Sequence, residues 1–275
     1  MEPFLTEAGP VGGTDGWDEA VCFEAALDVI GSLMAWCTAQ EQAAEGNLLA
    51  RESWRALRGR YLREFTGLDP ADRVAVGRAV KAHGARVAEL GGTLEVVPRT
   101  APDEYRLTRA EHTRLFTERI VPEMLDAATP SPEPAALLVA GEPGSGKTTL
   151  VRRATRARVA PNAWEVIDPE AFLAHHPYSW DLVLHDDPVA GDRVMTDALG
   201  WCALAVERAI ARRVDVALEV GANHAEDVSG YAALFRDAGY RVEVEMTAVP
   251  EAVARLQLMI RYHCRHGNWE VLPDR

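Results

Sequence analysis

The 275-residue chain predicts an α/β fold, a parallel sheet flanked by helices, preceded by a small three-helix bundle. Three observations predict it. Residues 18–90 carry apolar side chains at three- and four-residue spacing, the period of helices with one buried face. From Ala135 onward, short apolar runs alternate with helical stretches, as parallel strands alternate with crossover helices. After the first of those runs comes LLVAGEPGSGKTTL (Leu137 to Leu150), in which Gly141, Gly146, Lys147 and Thr148 fit G-x-x-x-x-G-K-[ST] without a mismatch.

Met1 to Gly16 is rich in Gly, Pro and Thr, and residues 1–17 are expected to form a mobile tail. The first helix starts at Asp18, with Val21, Phe23, Ala26, Leu27, Ile30, Leu33, Met34 and Cys37 in register, and Gly46 with Asn47 closes it. A second runs from about Leu48 to Phe65, with Leu49, Trp54, Leu57, Tyr61, Leu62 and Phe65 on one side. Asp69 and Pro70 supply an N-cap and a first-turn proline for a third, which reaches about Leu90 and is weakened by Gly77 and Gly84. Residues 91–104 read as a linker; TLEVV within them could form a strand, stopped by Pro98 and Pro102. Residues 105–275 form the second domain. Thr108 and Glu111 make a capping box for a helix to about Ala127, kinked or restarted at Pro122. TPSPEP (Thr129 to Pro134) is a stiff connector into the first strand.

The phosphate-loop reading rests on mechanics. Gly141, Gly144 and Gly146 let the backbone turn sharply and aim successive N–H groups at phosphate oxygens, so Gly141, Glu142, Pro143, Gly144, Ser145, Gly146, Lys147, Thr148 and Thr149 are expected to bind the nucleotide. Lys147 reaches the β- and γ-phosphates, Thr148 ligates Mg²⁺, and Thr149 continues into the helix whose positive end meets the anion. Lys81 and Lys147 are the chain's two lysines among many arginines, which singles out the loop position. Further strands are expected at Trp164–Asp168, Val214–Val220 and Tyr240–Val249. Helices are expected at Tyr178–His185, Asp192–Arg212, Ala225–Ala238 and Glu251–His263. Ligands of such sheets sit at the carboxyl ends of the strands, where Gly141, Asp168, Glu170 and Glu219 all fall.

Composition narrows the partners. A net charge of −13 leaves no footprint for nucleic acid or an anionic membrane, so an anionic substrate needs a local basic pocket. No stretch reads as a membrane span or signal peptide, and the scattered Cys22, Cys37, Cys202 and Cys264 suit small core residues in a reducing cytoplasm. His263, Cys264 and His266 point apart on a helix and lack a second ligand pair, so they predict no metal. His185, Asp186 and Asp187 before Pro188 read as a polar turn. Trp54, Trp180 and Trp201 have core spacing, and Trp180 could also line a substrate cleft.

Several motifs in order carry a resemblance. They are YRLT (Tyr105 to Thr108), RIVPEML (Arg119 to Leu125), the phosphate loop and IDPEAFLAHHPY (Ile167 to Tyr178). ALEVG (Ala217 to Gly221), GYRVEVEMTAVP (Gly239 to Pro250) and RY (Arg261, Tyr262) follow. From about Tyr105 to the C-terminus the chain resembles the zeta toxins of bacterial epsilon/zeta toxin–antitoxin pairs. The resemblance implies a P-loop kinase that uses ATP and Mg²⁺ to phosphorylate a hydroxyl of UDP-N-acetylglucosamine. It implies catalytic roles for Lys147, Glu170 and Arg261, and substrate contacts for Asp168, Glu170, His176 and Glu219. Residues 18–90 resemble the small helical antitoxins encoded beside such toxins, through FEAALDVIGSLMAW, LLARESWRALRGRY and ARVAEL. An intramolecular antitoxin is therefore expected, folded back on the cleft through its first helix; the alternative is a bundle that only stabilises or dimerises.

The chain also departs from the family pattern. Glu170 stands where the family's general base is an aspartate, and Val220–Gly221 replace Gly-Thr after the strand acid. Asn223 lies near a missing arginine, and Glu270 is closest to a second one. Two further readings stay open: a kinase for another hydroxylated small molecule such as an antibiotic, and a catalytically degenerate nucleotide-binding protein.

Overall fold

A computed structural model describes residues 15–91, 105–157, 163–185, 188–221 and 225–267. The expected tail up to residue 14, most of the linker with TLEVV, and Asn223 and Glu270 lie outside the described residues.

Three helices come first: α1 (Asp15–Ala43), α2 (Leu48–Gly67) and α3 (Arg73–Gly91). Two of their boundaries differ from expectation. Asn47 does not close α1; its side chain accepts the Ala50 N–H at 3.1 Å and caps α2. Asp69 and Pro70 form a turn ahead of α3, and Asp72 accepts the Ala75 N–H at 2.9 Å where α3 begins. A larger correction concerns α1. Residues Glu19–Ala43 meet the length and apolarity of a membrane span, with a mean hydropathy of 1.6. That apolar surface is spent inside the protein, because 72% of the apolar window is buried. Such all-round apolarity belongs to a helix enclosed on every side.

The helices enclosing α1 come from both halves of the chain. The second half opens with α4 (Arg109–Leu115), capped reciprocally by Thr108 and Glu111. It runs on as a π-helical stretch, Phe116–Leu125, that contains Pro122. Proline cannot supply the regular i→i−4 bond, and the helix passes it in wider turns. There follow β1 (Ala135–Gly141), α5 (Lys147–Ala157), β2 (Glu165–Ile167), α6 (Pro169–Leu173), α7 (Ser179–His185), α8 (Pro188–Arg212), β3 (Val216–Gly221), α9 (Ala225–Asp237), β4 (Arg241–Met246) and α10 (Glu251–Arg265). The four strands form one parallel sheet in the order β2-β3-β1-β4. β1 is buried along its whole length at the centre, whereas β4 is an exposed edge.

One apolar core lies between the sheet and α8, built on Leu138, Phe172, Trp201, Leu218 and Phe235. The N-terminal helices do not keep a core to themselves. Phe23, Ile30, Leu62 and Val76 pack in one cluster with Ala171, Ala174 and Cys264, and Leu33 and Trp36 pack with Trp180. Burying each such large side chain contributes about 1.5–3 kcal/mol, so packing against the second half adds to the hold that α2 and α3 have on α1. The end of α2 adds a polar clasp. Arg152 and Arg156 of α5 donate to the carbonyls of Phe65, Thr66, Gly67 and Leu68, the negative end of the α2 dipole.

Candidate active site

The loop between β1 and α5 has the shape its glycines require. Gly144 and Gly146 sit at φ +76° and +89°, in the left-handed region closed to most side chains. A Cβ on Gly141 would collide with Thr247 Oγ1 and lie 2.5 Å from Ser145 Oγ. One on Gly144 would lie 2.5 Å from the Ala254 carbonyl of α10. Ser145 Oγ and Thr247 Oγ1 share a 2.6 Å hydrogen bond, and the Thr247 N–H donates to Ala140 O at 2.8 Å, pinning the loop to the segment after β4. Lys147 Nζ donates to the Glu142 carbonyl at 3.0 Å, which lays the ammonium across the loop mouth. Glu142 and Pro143 are exposed at the rim, and Thr149 is buried beneath it.

Four carboxylates approach this loop. Asp168 follows β2, caps α6 and accepts the Glu170 N–H at 2.9 Å. Burial, reinforced by the Glu170 charge, pushes Asp168 up to about 6. Glu219 of β3 accepts from Thr148 Oγ1 at 3.1 Å, and its other oxygen is buried without a hydrogen-bond partner. Burial and then the Asp168 charge raise Glu219 well above the usual carboxylate range. Glu170 goes the other way, held low by Arg261 of α10, which donates to it at 2.6 Å. A run of acids has thus been split by its surroundings into one firm carboxylate and two that hold protons more tightly.

The fourth carboxylate, Glu24, belongs to α1, and sequence reasoning missed it. Glu24 is only 5% exposed, with Arg261 Nη1 3.8 Å away, and burial raises it to about 7 against the pull of that arginine. Asp28, one turn on, lies 3.5 Å from Arg261 Nη2 and 3.1 Å from Arg265 Nε. Burial disfavours the Arg261 charge, but Glu170, Asp28 and Glu24 outweigh it and raise its pKa. Nearer the loop, the Ala20 methyl is 3.9 Å from where a Cβ of Gly146 would stand. A signal for this was visible, since Glu24 and Asp28 interrupt an otherwise apolar helix at i, i+4 spacing.

Between α1, α6, α7 and α10 lies a cavity of about 460 Å³. Thr148, Asp168, Glu170 and Arg261 contribute polar lining, and Leu173, Leu182, Val183 and Met195 apolar lining. His176, expected at the substrate, is instead fully buried; its ring accepts the Tyr178 N–H at 3.2 Å and meets Asp197 at 3.3 Å. That geometry makes His176 a strut for the turn before α7. Trp180 likewise packs in the core and does not line the cavity.

The residues fit the groups that the loop implies. Thr148 Oγ1 and a buried, half-satisfied Glu219 carboxylate offer the hard oxygen donors that suit Mg²⁺, which uses few protein ligands and keeps waters and phosphates. The left-handed glycines and the N-terminus of α5 fit a polyphosphate.

A parallel sheet with a phosphate loop after its central strand, and acids and an arginine facing that loop, defines a P-loop kinase-like fold. The family model for the zeta toxin matches residues 117–274. The chain belongs to the zeta toxin family, whose members are kinase-like. Among solved structures, it is similar to a chain from the PezAT chromosomal toxin–antitoxin system of the human pathogen Streptococcus pneumoniae, with a TM-score of 0.51 and 21% identity. That likeness covers 58% of this chain and 64% of the other, so it spans less than two thirds of the PezAT chain. No curated protein matches the sequence.

Proposed function

We propose that the chain is an ATP-dependent kinase that phosphorylates a hydroxyl of UDP-N-acetylglucosamine in the cytoplasm, and that its N-terminal helices hold it in check. The observation that carries this reading is the convergence of Lys147, Thr148, Glu170, Glu219 and Arg261 on one phosphate loop, with Thr148, Glu170 and Arg261 also lining the cavity beside it. Phosphoryl transfer needs positioning and charge neutralisation more than covalent chemistry. Lys147, the loop amides and Arg261 neutralise the γ-phosphoryl oxygens. Thr148 and Glu219 would hold a divalent cation, which when bound would supply positive charge to neutralise the phosphates. Glu170, kept ionised by Arg261, orients the acceptor hydroxyl and takes its proton.

Inhibition follows from the same contacts. With α1 docked, Glu24 and Asp28 stand where incoming anionic groups would meet Arg261, and Ala20 lies over the loop. ATP must displace two carboxylates and the helix that carries them. A second reading, an antibiotic-like acceptor, draws on the apolar lining of the cavity at Leu173, Leu182, Val183 and Met195. The test is incubation of the protein with ATP, Mg²⁺ and a panel of UDP-sugars and hydroxylated antibiotics. Gain of one phosphoryl group on UDP-N-acetylglucosamine supports the first reading, gain on an antibiotic alone the second, and no transfer to any acceptor by either the full chain or its Asp28→Asn variant contradicts both.

A further inference from the structure

Among the described residues lining the cavity, four carboxylates (Glu24, Asp28, Asp168 and Glu170) face two cations, Arg261 and Arg265. The cations stand one turn apart on α10, and Asp28 bridges them. Arg261 is committed to Glu170 at 2.6 Å, beside the phosphate loop. Arg265 pairs with Asp28 of α1 at 3.1 Å, and its charge helps Arg261 hold Glu170 low from a distance. Direction along α10 then matters. The helix meets the loop at its first turns, where the Ala254 carbonyl and Leu258 crowd Gly144. Each residue onward rises about 1.5 Å, so Arg265 lies about 6 Å further from the loop than Arg261. In the kinase reading, that side of the reacting centre is the acceptor's.

We propose that Arg265 binds the anionic part of the acceptor, and that Asp28 fills this place while α1 is docked. An acceptor carrying a phosphate or diphosphate otherwise enters a cavity dominated by carboxylates, which repel it. Arg265 is the one cation lining the cavity that lies beyond the reacting centre among the described residues. Its planar fork suits phosphate oxygens, and the Tyr262 ring 6.0 Å from its guanidinium carbon supports its orientation. The N-terminal helices thereby compete with the acceptor as well as with ATP. This inference rests on reading the cavity as a kinase's acceptor site.

Calorimetric titration of the full chain tests it, with UDP-N-acetylglucosamine as the anionic probe, chloramphenicol as a neutral one, and ATP in parallel. Asp28→Asn should tighten UDP-N-acetylglucosamine binding about tenfold or more by releasing Arg265, and adding Arg265→Gln should remove that gain. Arg265→Gln should leave ATP affinity in the Asp28→Asn background unchanged, and chloramphenicol should not respond to it. If Arg265 merely tethered α1, Arg265→Gln would instead raise acceptor affinity by loosening the helix. That result, a loss confined to ATP, or no binding of UDP-N-acetylglucosamine to Asp28→Asn would overturn the proposal. Should Lys147→Ala bind ATP as the wild type does, the kinase reading itself fails. If ATP binding needs Lys147 while Arg265→Gln changes nothing, only this inference fails.

Discussion

Replacing Glu41 with leucine should be among the most damaging single changes in the N-terminal helices. Glu41 is fully buried on α1, accepts from Arg58 at 2.6 Å and Arg55 at 2.9 Å, and forms an ion pair with Arg119 at 3.0 Å. Burial disfavours its charge, yet Arg119, Arg58 and Arg55 hold it below the usual carboxylate range. The substitution leaves two buried guanidiniums with one remaining carboxylate, Glu123, which Arg58 already engages through Nη2 at 2.7 Å. Arg119 is worst placed; one of its nitrogens has no hydrogen-bond partner, and burial has pushed its pKa down to about 10. Stranding a buried charge in this way costs about 3–5 kcal/mol. At about 2–4 °C per kcal/mol for a protein of this size class, Tm should fall by roughly 6–20 °C. The assay is thermal or urea unfolding of the full chain. Because Arg119 and Glu123 come from the π-helical stretch, the network joins the two halves, and Arg119→Leu added to Glu41→Leu should recover part of the loss. A Glu41→Leu protein within about 1 kcal/mol of wild type, which is what an exposed ion pair is worth, would refute this account of the joint.

Three further outcomes are expected. Lys147→Ala should lower phosphoryl transfer by about 10²–10³-fold or more, measured as product formed per unit time, and unchanged turnover would remove the phosphate-loop role. Glu170→Gln should abolish transfer while leaving ATP binding intact, and Glu170→Asp should retain activity; an active Glu170→Gln beside a dead Asp168→Asn would move the base to Asp168. Docking of α1 should weaken as pH rises from about 4.5 to about 7, because docked Glu24 keeps a proton that a free carboxylate has already released. The ceiling on that effect is about 3 kcal/mol. Glu24→Gln should flatten the profile, read as protease sensitivity of the N-terminal helices against pH, and an unchanged slope would show that another group titrates.

The sheet was legible because each strand advertises itself. Ala135–Gly141 is an unbroken apolar run, and only a strand buried on both faces needs one. The loop was legible for the same reason of necessity, since Gly144 and Gly146 occupy backbone conformations closed to most other residues. Helix starts were harder. Asp-Pro occurs at Asp69–Pro70, where it makes a turn, and at Asp168–Pro169, where it caps α6 and aims the Glu170 N–H. Local chemistry is the same at both, and packing decides between them. Periodicity placed the apolar face of α1 but not what covers it, because a heptad-like count does not distinguish a bundle core from a core shared with α6, α7 and α10. His176 misled for a related reason. A histidine beside a substrate and one bracing a turn share a sequence, and only the approach of Asp197 from α8, 21 residues away, separates them.

The account stands or falls on whether α1 restrains a working kinase. The direct measurement is the rate of phosphoryl transfer from ATP to UDP-N-acetylglucosamine by the full chain and by its Asp28→Asn variant, with ATP affinity determined alongside. Freeing Arg261 and Arg265 from the Asp28 carboxylate should tighten ATP binding and raise the transfer rate about tenfold or more, at an enzyme concentration where the wild type is slow. Equal rates and equal ATP affinity in the two proteins would contradict restraint by α1, and tighter ATP binding with no transfer by either would contradict the kinase.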